Sequence, residues 1–309
     1  MKKDATHRQW RARHQRWLRF VQGMERAIAG GQKIAAGPSP QPLIAPRAMA
    51  YDGDERVIVC SPHPDDEALT GALPLRFRLE KGISVLNLAV TLGSKVSERA
   101  RRLRELESSC QALGFRLTVA APASGLNSVT PEGRKDARSW AKKVGSLTEI
   151  FERERPTVIF VPHEGDFHPA HIGTHYLVID ALRNLRRWRS PVMLLESEYW
   201  HGLANPNLMV GVTPEQEALL VMAAAEHAGE VARNPYHLLH PARMMDNVRR
   251  GAEVVGSAGG AAPDFKFAEL YRVSFFEKKR IRISRKPGRI LHTTETADPA
   301  DLAAYFGDR

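Results

Sequence analysis

Cysteine is nearly absent: Cys60 and Cys110 are the only two in 309 residues. That is too few for a disulfide framework or a thiolate zinc knuckle, and it points to a reducing, cytoplasmic setting. No run approaches the ~18 unbroken apolar residues of a membrane-spanning helix. The N-terminal MKKDATHRQWRARHQRW is basic but lacks an apolar core and a small-residue cleavage site, so it does not read as a secretory signal. No GxGxxG follows the first expected strand and no GxxxxGK[ST] occurs anywhere, which removes the main support for dinucleotide or P-loop chemistry. No internal repeat is visible. Acids are in the minority, 35 against 45 Lys and Arg, for a net charge of +10. The excess gathers in residues 1–50 and in EKKRIRISRKPGR. Such basic stretches are first of all solvated surface, and no nucleic-acid partner is expected.

Residues 8–30 space Trp10, Trp17, Leu18, Phe20, Val21, Met24 and Ile28 at helical intervals, with arginines between them. This arm could bind a surface or a second copy of the chain, leaving homo-oligomerisation open. The two tryptophans favour a helix packed on the main domain. An irregular Pro- and Gly-rich connector, AAGPSPQPLIAPRAMAYDG, follows. From residue 56 short apolar runs alternate with helical stretches: RVIVCS, ISVLNLAVT, FRLTVAA, TVIFVP and PVMLLESEYW as strands, with helices between. One helix is expected over EALTGALPLRFRLEKG. NLMVGV and FAELYRVSFF read as later strands, and GSAGGAAPD as a loop or flap. The alternation predicts an α/β, Rossmann-like three-layer sandwich, a mainly parallel sheet with helices on both faces. In such sheets, sites lie beyond the carboxyl ends of the strands. The expected organisation is a basic arm and linker over 1–50, a catalytic domain over 51–280 and a basic extension over 281–309.

Chemistry concentrates in two places. His63-Pro64-Asp65-Asp66-Glu67 follows the first strand. Pro64 holds His63 extended, and helix capping accounts for one or two of the acids but not for a third beside an imidazole. Adjacent carboxylates repel, and a cation is the usual remedy. The second place is PHEGDFHPAHIGTHYLV, after the fourth strand, with His163, Asp166, His168, His171 and His175. Four of the chain's twelve histidines fall there. In a parallel sheet both stretches emerge at one edge. A site of His63, one adjacent aspartate and one histidine from the second cluster suits a catalytic Zn²⁺ with an open position. The other aspartate is then a candidate base and a spare histidine a candidate acid. At this level the chain reads as a metal-assisted hydrolase of unnamed substrate.

The pair PHPDDE and HPAH resembles the LmbE-like (PIG-L) family of zinc-dependent N-deacetylases, whose pattern is His-Pro-Asp-Asp-Glu and later His-Pro-Asp-His. RLRELESSCQALG and FAELYR are similar to that family's Arg-x-x-Glu helix and late Ala-Glu strand, so the resemblance spans about residues 55–275. It implies His63, Asp66 and His171 as zinc ligands and Asp65 as the general base that activates the bound water. It further implies His168 as the acid or oxyanion donor and Arg102 as a substrate contact. Glu67 and Asp166 are expected to brace these groups. The implied reaction removes acetyl from an N-acetylglucosaminyl-type sugar or conjugate; another metal-dependent amidohydrolase, or a non-catalytic binding protein with a basic tail, are the alternatives. Two departures stand out. Ala170 occupies the family's usual Asp, and APASGLNSVTPEG replaces an Asp-Gly after the third strand.

Overall fold

In the computed structural model, which describes residues 2–38, 53–122, 124–186 and 191–307, the chain divides into two units, Met1–Ala36 and Gly37–Arg309. The first is one helix, α1 (Lys2–Gly31). Trp10 and Trp17 are exposed on it; a lone helix has no second layer of its own to bury them. Most of the connector expected over residues 35–53 lies outside the described residues.

The second unit is built on β1 (Val57–Ser61), whose side chains alternate between two layers. Val57 and Val59 enter one hydrophobic core, while Ile58 and Cys60 enter the other. A strand covered on both faces needs a continuous apolar run, which is why VIVC is uninterrupted. Each such valine or isoleucine contributes about 1.5–3 kcal/mol by leaving water. A short helix α2 (Asp66–Leu69) and α3 (Ala72–Lys81) lead to β2 (Val85–Ala89), then α4 (Arg99–Leu113) and β3 (Arg116–Val119). Next come α5 (Ala137–Glu154), β4 (Val158–Pro162), α6 (Pro169–Asn184) and β5 (Val192–Ser197). The remainder is β6 (Leu208–Val212), α7 (Pro214–Ala225), α8 (Ala228–Arg233), α9 (Tyr236–Gly251), β7 (Phe267–Glu277), β8 (Arg280–Ile283), β9 (Arg289–Leu291) and α10 (Pro299–Phe306).

These strands form one nine-stranded sheet in the order β3-β2-β1-β4-β5-β7-β6-β9, with β8 on β7. The β3 to β5 half is parallel, and β7 runs antiparallel to both of its neighbours in that order, β5 and β6. The expected α/β fold is therefore what the chain has. Leu73 and Phe77 of α3, Leu106 of α4 and Leu220 of α7 cover one face. Trp140 and Phe151 of α5 and Leu177 and Leu182 of α6 cover the other.

Two expectations are corrected. The helix expected over residues 67–82 breaks at Thr70–Gly71. Thr70 turns its hydroxyl onto the Asp66 carbonyl at 3.2 Å, and a Cβ on Gly71 would lie 2.4 Å from the Glu67 carbonyl oxygen. The carboxylates thus sit on a one-turn helix of their own. The basic segment from 281 is no appendage: β9 pairs with β6, and Leu302 and Phe306 of α10 join the core. Among the described residues no helix is long and apolar enough to cross a membrane.

Candidate active site

β1 lies between β2 and β4, so the chain's crossovers leave its carboxyl end in opposite directions. That is the switch point where open α/β sheets form clefts. The loop after β1 supplies His63 to Glu67, and the loop after β4 supplies His163 to His171. The separation of about a hundred residues closes in space because the two strands are hydrogen-bonded neighbours.

Three donor atoms come together. His171 Nε2 is 3.3 Å from His63 Nδ1 and 3.6 Å from Asp66 Oδ2, and His63 Nδ1 is 3.5 Å from the same oxygen. Tetrahedral zinc with N and O ligands at about 2.0–2.1 Å requires neighbouring ligand atoms roughly 3.3 Å apart. The triangle fits a zinc-type cation, and two imidazoles and a carboxylate are its usual donors. His168 joins the two other histidines within 4.8 Å. Its Nδ1, however, accepts the Ala170 N–H at 3.2 Å as the cap of α6. Accepting there leaves the neutral ring's proton on Nε2 and makes that atom a donor. Burial, and then the His63 and His171 charges, push His168 down to about 4, so the ring is neutral near pH 7.

Asp65 stands at the N-cap of α2, but its side chain does not cap the helix. Its backbone is left-handed at φ 115° and its side chain makes no capping hydrogen bond. A non-glycine residue in that conformation is strained and needs support from its surroundings. Tyr236 Oη donates to Asp65 Oδ2 at 2.7 Å, and the Asp65 N–H donates to Glu67 Oε2 at 3.0 Å. Burial, then the Asp66 carboxylate, push Asp65 up to about 7, against the opposing charges of His227 and Arg102. Glu67 is fully buried and receives the Ser109 hydroxyl at 2.5 Å and His227 Nε2 at 2.7 Å. The third acid thus holds the backbone of the first.

Asp166 sits beside both histidines of the second motif. Its Oδ1 accepts the His168 N–H at 2.8 Å and lies 3.2 Å from His171 Nδ1. Its Oδ2 accepts the Trp200 N–H at 3.2 Å. Against the cost of burial, His171 and the His168 N–H hold Asp166 down to about 2. A carboxylate on the far nitrogen of a metal-binding imidazole fixes its tautomer and raises its basicity, and losing one costs about 10–100-fold in metal affinity. Asp166→Ala is expected to weaken zinc binding by that factor, measured by competition with a chromogenic chelator. Unchanged affinity would mean that another group orients His171.

Arg102 donates to the Pro64 carbonyl at 3.1 Å and lies 3.5 Å from Glu230. It lines the cleft but is tied to the protein at both points. A side chain on Gly93 would collide with the Arg102 guanidinium, its Cβ falling 2.3 Å from Nη1. The cleft, about 790 Å³, is also lined by Thr91, Arg99, Asn127, Trp200 and Arg233. Asn127 and Ser128, in the stretch that departs from the family's Asp-Gly, still reach it. The GSAGGAAPD loop, expected as a flap, contributes no lining residue. His163 contacts the His201 carbonyl at 2.8 Å, loop to loop, and His175 of α6 contacts the Pro162 carbonyl of β4 at 2.9 Å; neither joins the triangle.

Sequence reasoning missed Tyr236, His227, Tyr199 and Glu230. Tyr199 stacks edge-on against His171 with ring centroids 4.6 Å apart, and its hydroxyl meets Thr70 at 3.1 Å. Nothing local flags these residues, because each reaches the site from more than a hundred residues away in the chain or, for Tyr199, from the turn after β5.

The sequence model of the PIG-L family, described as GlcNAc-PI de-N-acetylase, matches residues 58–182. A 1D-myo-inositol 2-acetamido-2-deoxy-alpha-D-glucopyranoside deacetylase of Mycobacterium leprae is 28% identical over 158 residues, covering 41% of this chain and 50% of that protein. The chain thus spans about half the length of the curated relatives it matches. Among solved structures, an N,N'-diacetylchitobiose deacetylase from Pyrococcus horikoshii superposes with TM-score 0.50 at 17% identity, over 71% of this chain and 83% of that one. The 4-carboxy-2-hydroxymuconate hydratase GalB from Pseudomonas putida KT2440 does so with TM-score 0.51 at 12% identity, over 71% and 96%. These two structures share the fold. A deacetylase and a hydratase on one sheet show why the reaction must be argued from the site.

Proposed function

We propose, from the match of the PIG-L (LmbE-like) family model to residues 58–182, that this chain is a zinc-dependent N-deacetylase of that family, acting on an N-acetylglucosaminyl-type sugar or sugar conjugate. The observation that carries this reading is the triangle of His63 Nδ1, Asp66 Oδ2 and His171 Nε2 with the Asp65 carboxylate next to it in the chain. A zinc ion held by that triangle would act as a Lewis acid on the acetamide and lower the pKa of water.

The chain's own groups supply the rest. Asp65, aimed by Tyr236 and by the Glu67 brace, takes the proton from the attacking water. Without a cation, burial and Asp66 push its pKa up to about 7; with the Asp66 charge neutralised the carboxylate would be ionised and free to take a proton at neutral pH. The like-charge crowding behind that shift is what a bound cation relieves. His168, a neutral donor through Nε2, steadies the oxygen on which negative charge develops; its low pKa suits this better than a resting role as a charged acid. Asn127, Thr91 and the arginines at the rim offer hydrogen bonds to sugar hydroxyls, and exposed Trp200 offers an apolar face to the ring. The buried Asp166 keeps His171 aligned throughout.

The reading is tested by acetate release from a panel of N-acetylglucosaminyl conjugates, with phosphoesters and plain amides alongside. Acetate should appear, stop when a chelator removes the metal, and return on addition of zinc. Folded, zinc-loaded protein that releases acetate from no panel member, or that cleaves the phosphoesters instead, would overturn it.

A further inference from the structure

Helix α1 carries chemistry that deacetylation does not use. At 3.6 residues per turn, Trp10, Trp17, Val21, Met24 and Ile28 fall on one face, with Phe20 at its edge. Trp17 is 62% exposed, Phe20 57%, Val21 53% and Met24 50%. The opposite face carries Arg8, Arg19 and Arg26, with Arg11 and Arg16 at its borders. Between residues 8 and 28 the sequence has six arginines and a single acid, Glu25.

We propose that α1 is an interfacial anchor that lies in the plane of an anionic phospholipid bilayer. Trp17, Phe20, Val21 and Met24 enter the boundary between headgroups and acyl chains, and the arginines lie over the lipid phosphates. The division of the helix supports this occupant over others. Two tryptophans and a phenylalanine on an otherwise mixed apolar stripe suit the amphipathic depth of a membrane interface. A second copy of the helix needs an aliphatic seam flanked by opposite charges; here Arg13 and Arg16 flank the stripe, and a twin would face them with arginines of its own. Nucleic acid would satisfy the arginines but leave the apolar face in water. Anionic lipid satisfies both faces at once, and each basic residue near such a surface strengthens binding about fivefold.

The test uses the full chain and co-sedimentation with sucrose-loaded vesicles, of phosphatidylcholine alone or with 30 mol% phosphatidylglycerol. The expected result is uptake by the anionic vesicles at least about tenfold tighter than by the neutral ones, weakened as salt rises past the screening range. Replacing Arg8, Arg11, Arg16 and Arg19 by glutamine should cost more than about 100-fold, while lysine at the same four positions should retain binding. Trp17→Ser with Phe20→Ser and Met24→Ser should abolish uptake, with acetate release from a water-soluble substrate unchanged. That last readout separates failure of the anchor from failure of the deacetylase reading. Equal binding to neutral and anionic vesicles, no binding, or uptake unaffected by the three serines would overturn the proposal. So would a dimer by light scattering that the serines dissolve while no vesicle is bound, which would assign the face to a second copy.

Discussion

Asp65→Asn is expected to keep its fold and its zinc while acetate release falls by about 10²–10⁴-fold, the usual contribution of a positioned general base. At about 1.4 kcal/mol per factor of ten this is roughly 3–5 kcal/mol of lost transition-state stabilisation. Asparagine is the informative replacement because it keeps the shape of the side chain and an oxygen for the Tyr236 hydroxyl. It also tolerates the positive φ of 115° better than alanine would. Only the capacity to take a proton is lost. The measurement is kcat at saturating substrate beside metal stoichiometry on the same preparation. A rate within about tenfold of the parent, with zinc in place, would remove Asp65 from the base role.

His171→Ala is expected to lose metal and activity together, with affinity reduced by well over the about 100-fold upper cost of an outer-shell change. The substitution removes one of three donors that stand 3.3–3.6 Å apart. It also strips Asp166 Oδ1 of the ring 3.2 Å away and leaves Asp66 without one of the two imidazoles that lower its pKa. The effect is therefore larger than a single lost bond. His168→Ala is the paired measurement. His168 lies within reach of the same point, but its Nδ1 is committed to the helix cap, so this variant should keep zinc and lose rate. Metal retained in His171→Ala and lost in His168→Ala would transfer the ligand role from one histidine to the other.

Both predictions concern residues visible in two short motifs, and the visibility has a physical basis. A strand buried on two faces must be continuously apolar, so VIVC announces a central β1, and whatever follows it stands at a sheet edge. Charge that cannot be stabilised locally is conspicuous in the same way. PHPDDE implies an absent cation before any coordinates are considered, and the histidines of PHEGDFHPAH suggest what helps hold it. Backbone register between β1 and β4 then brings the two together, as parallel pairing requires. Helix ends were legible where glycine or a capping threonine marks them, as at Gly114 and Thr213. The break at Thr70–Gly71 was not, because it depends on a carbonyl and a side chain meeting across one turn.

The layer architecture, the two loops that carry the candidate site, and the residue types available for metal and proton could all be read along the chain. These follow from hydrophobic period and from charges too close together to stand alone, both of which are local properties. How the three acids after β1 divide their work emerges in the folded molecule alone. Asp66 turns to the histidines, Asp65 is held in a strained conformation by Tyr236, and Glu67 is locked beneath it by Ser109 and His227. The fold also sets Asp166 beside His171 Nδ1 and Tyr199 against the His171 ring. Each of these outcomes depends on hydrogen bonds or burial between groups far apart in the chain, and a side chain's address along the backbone carries no record of its partners.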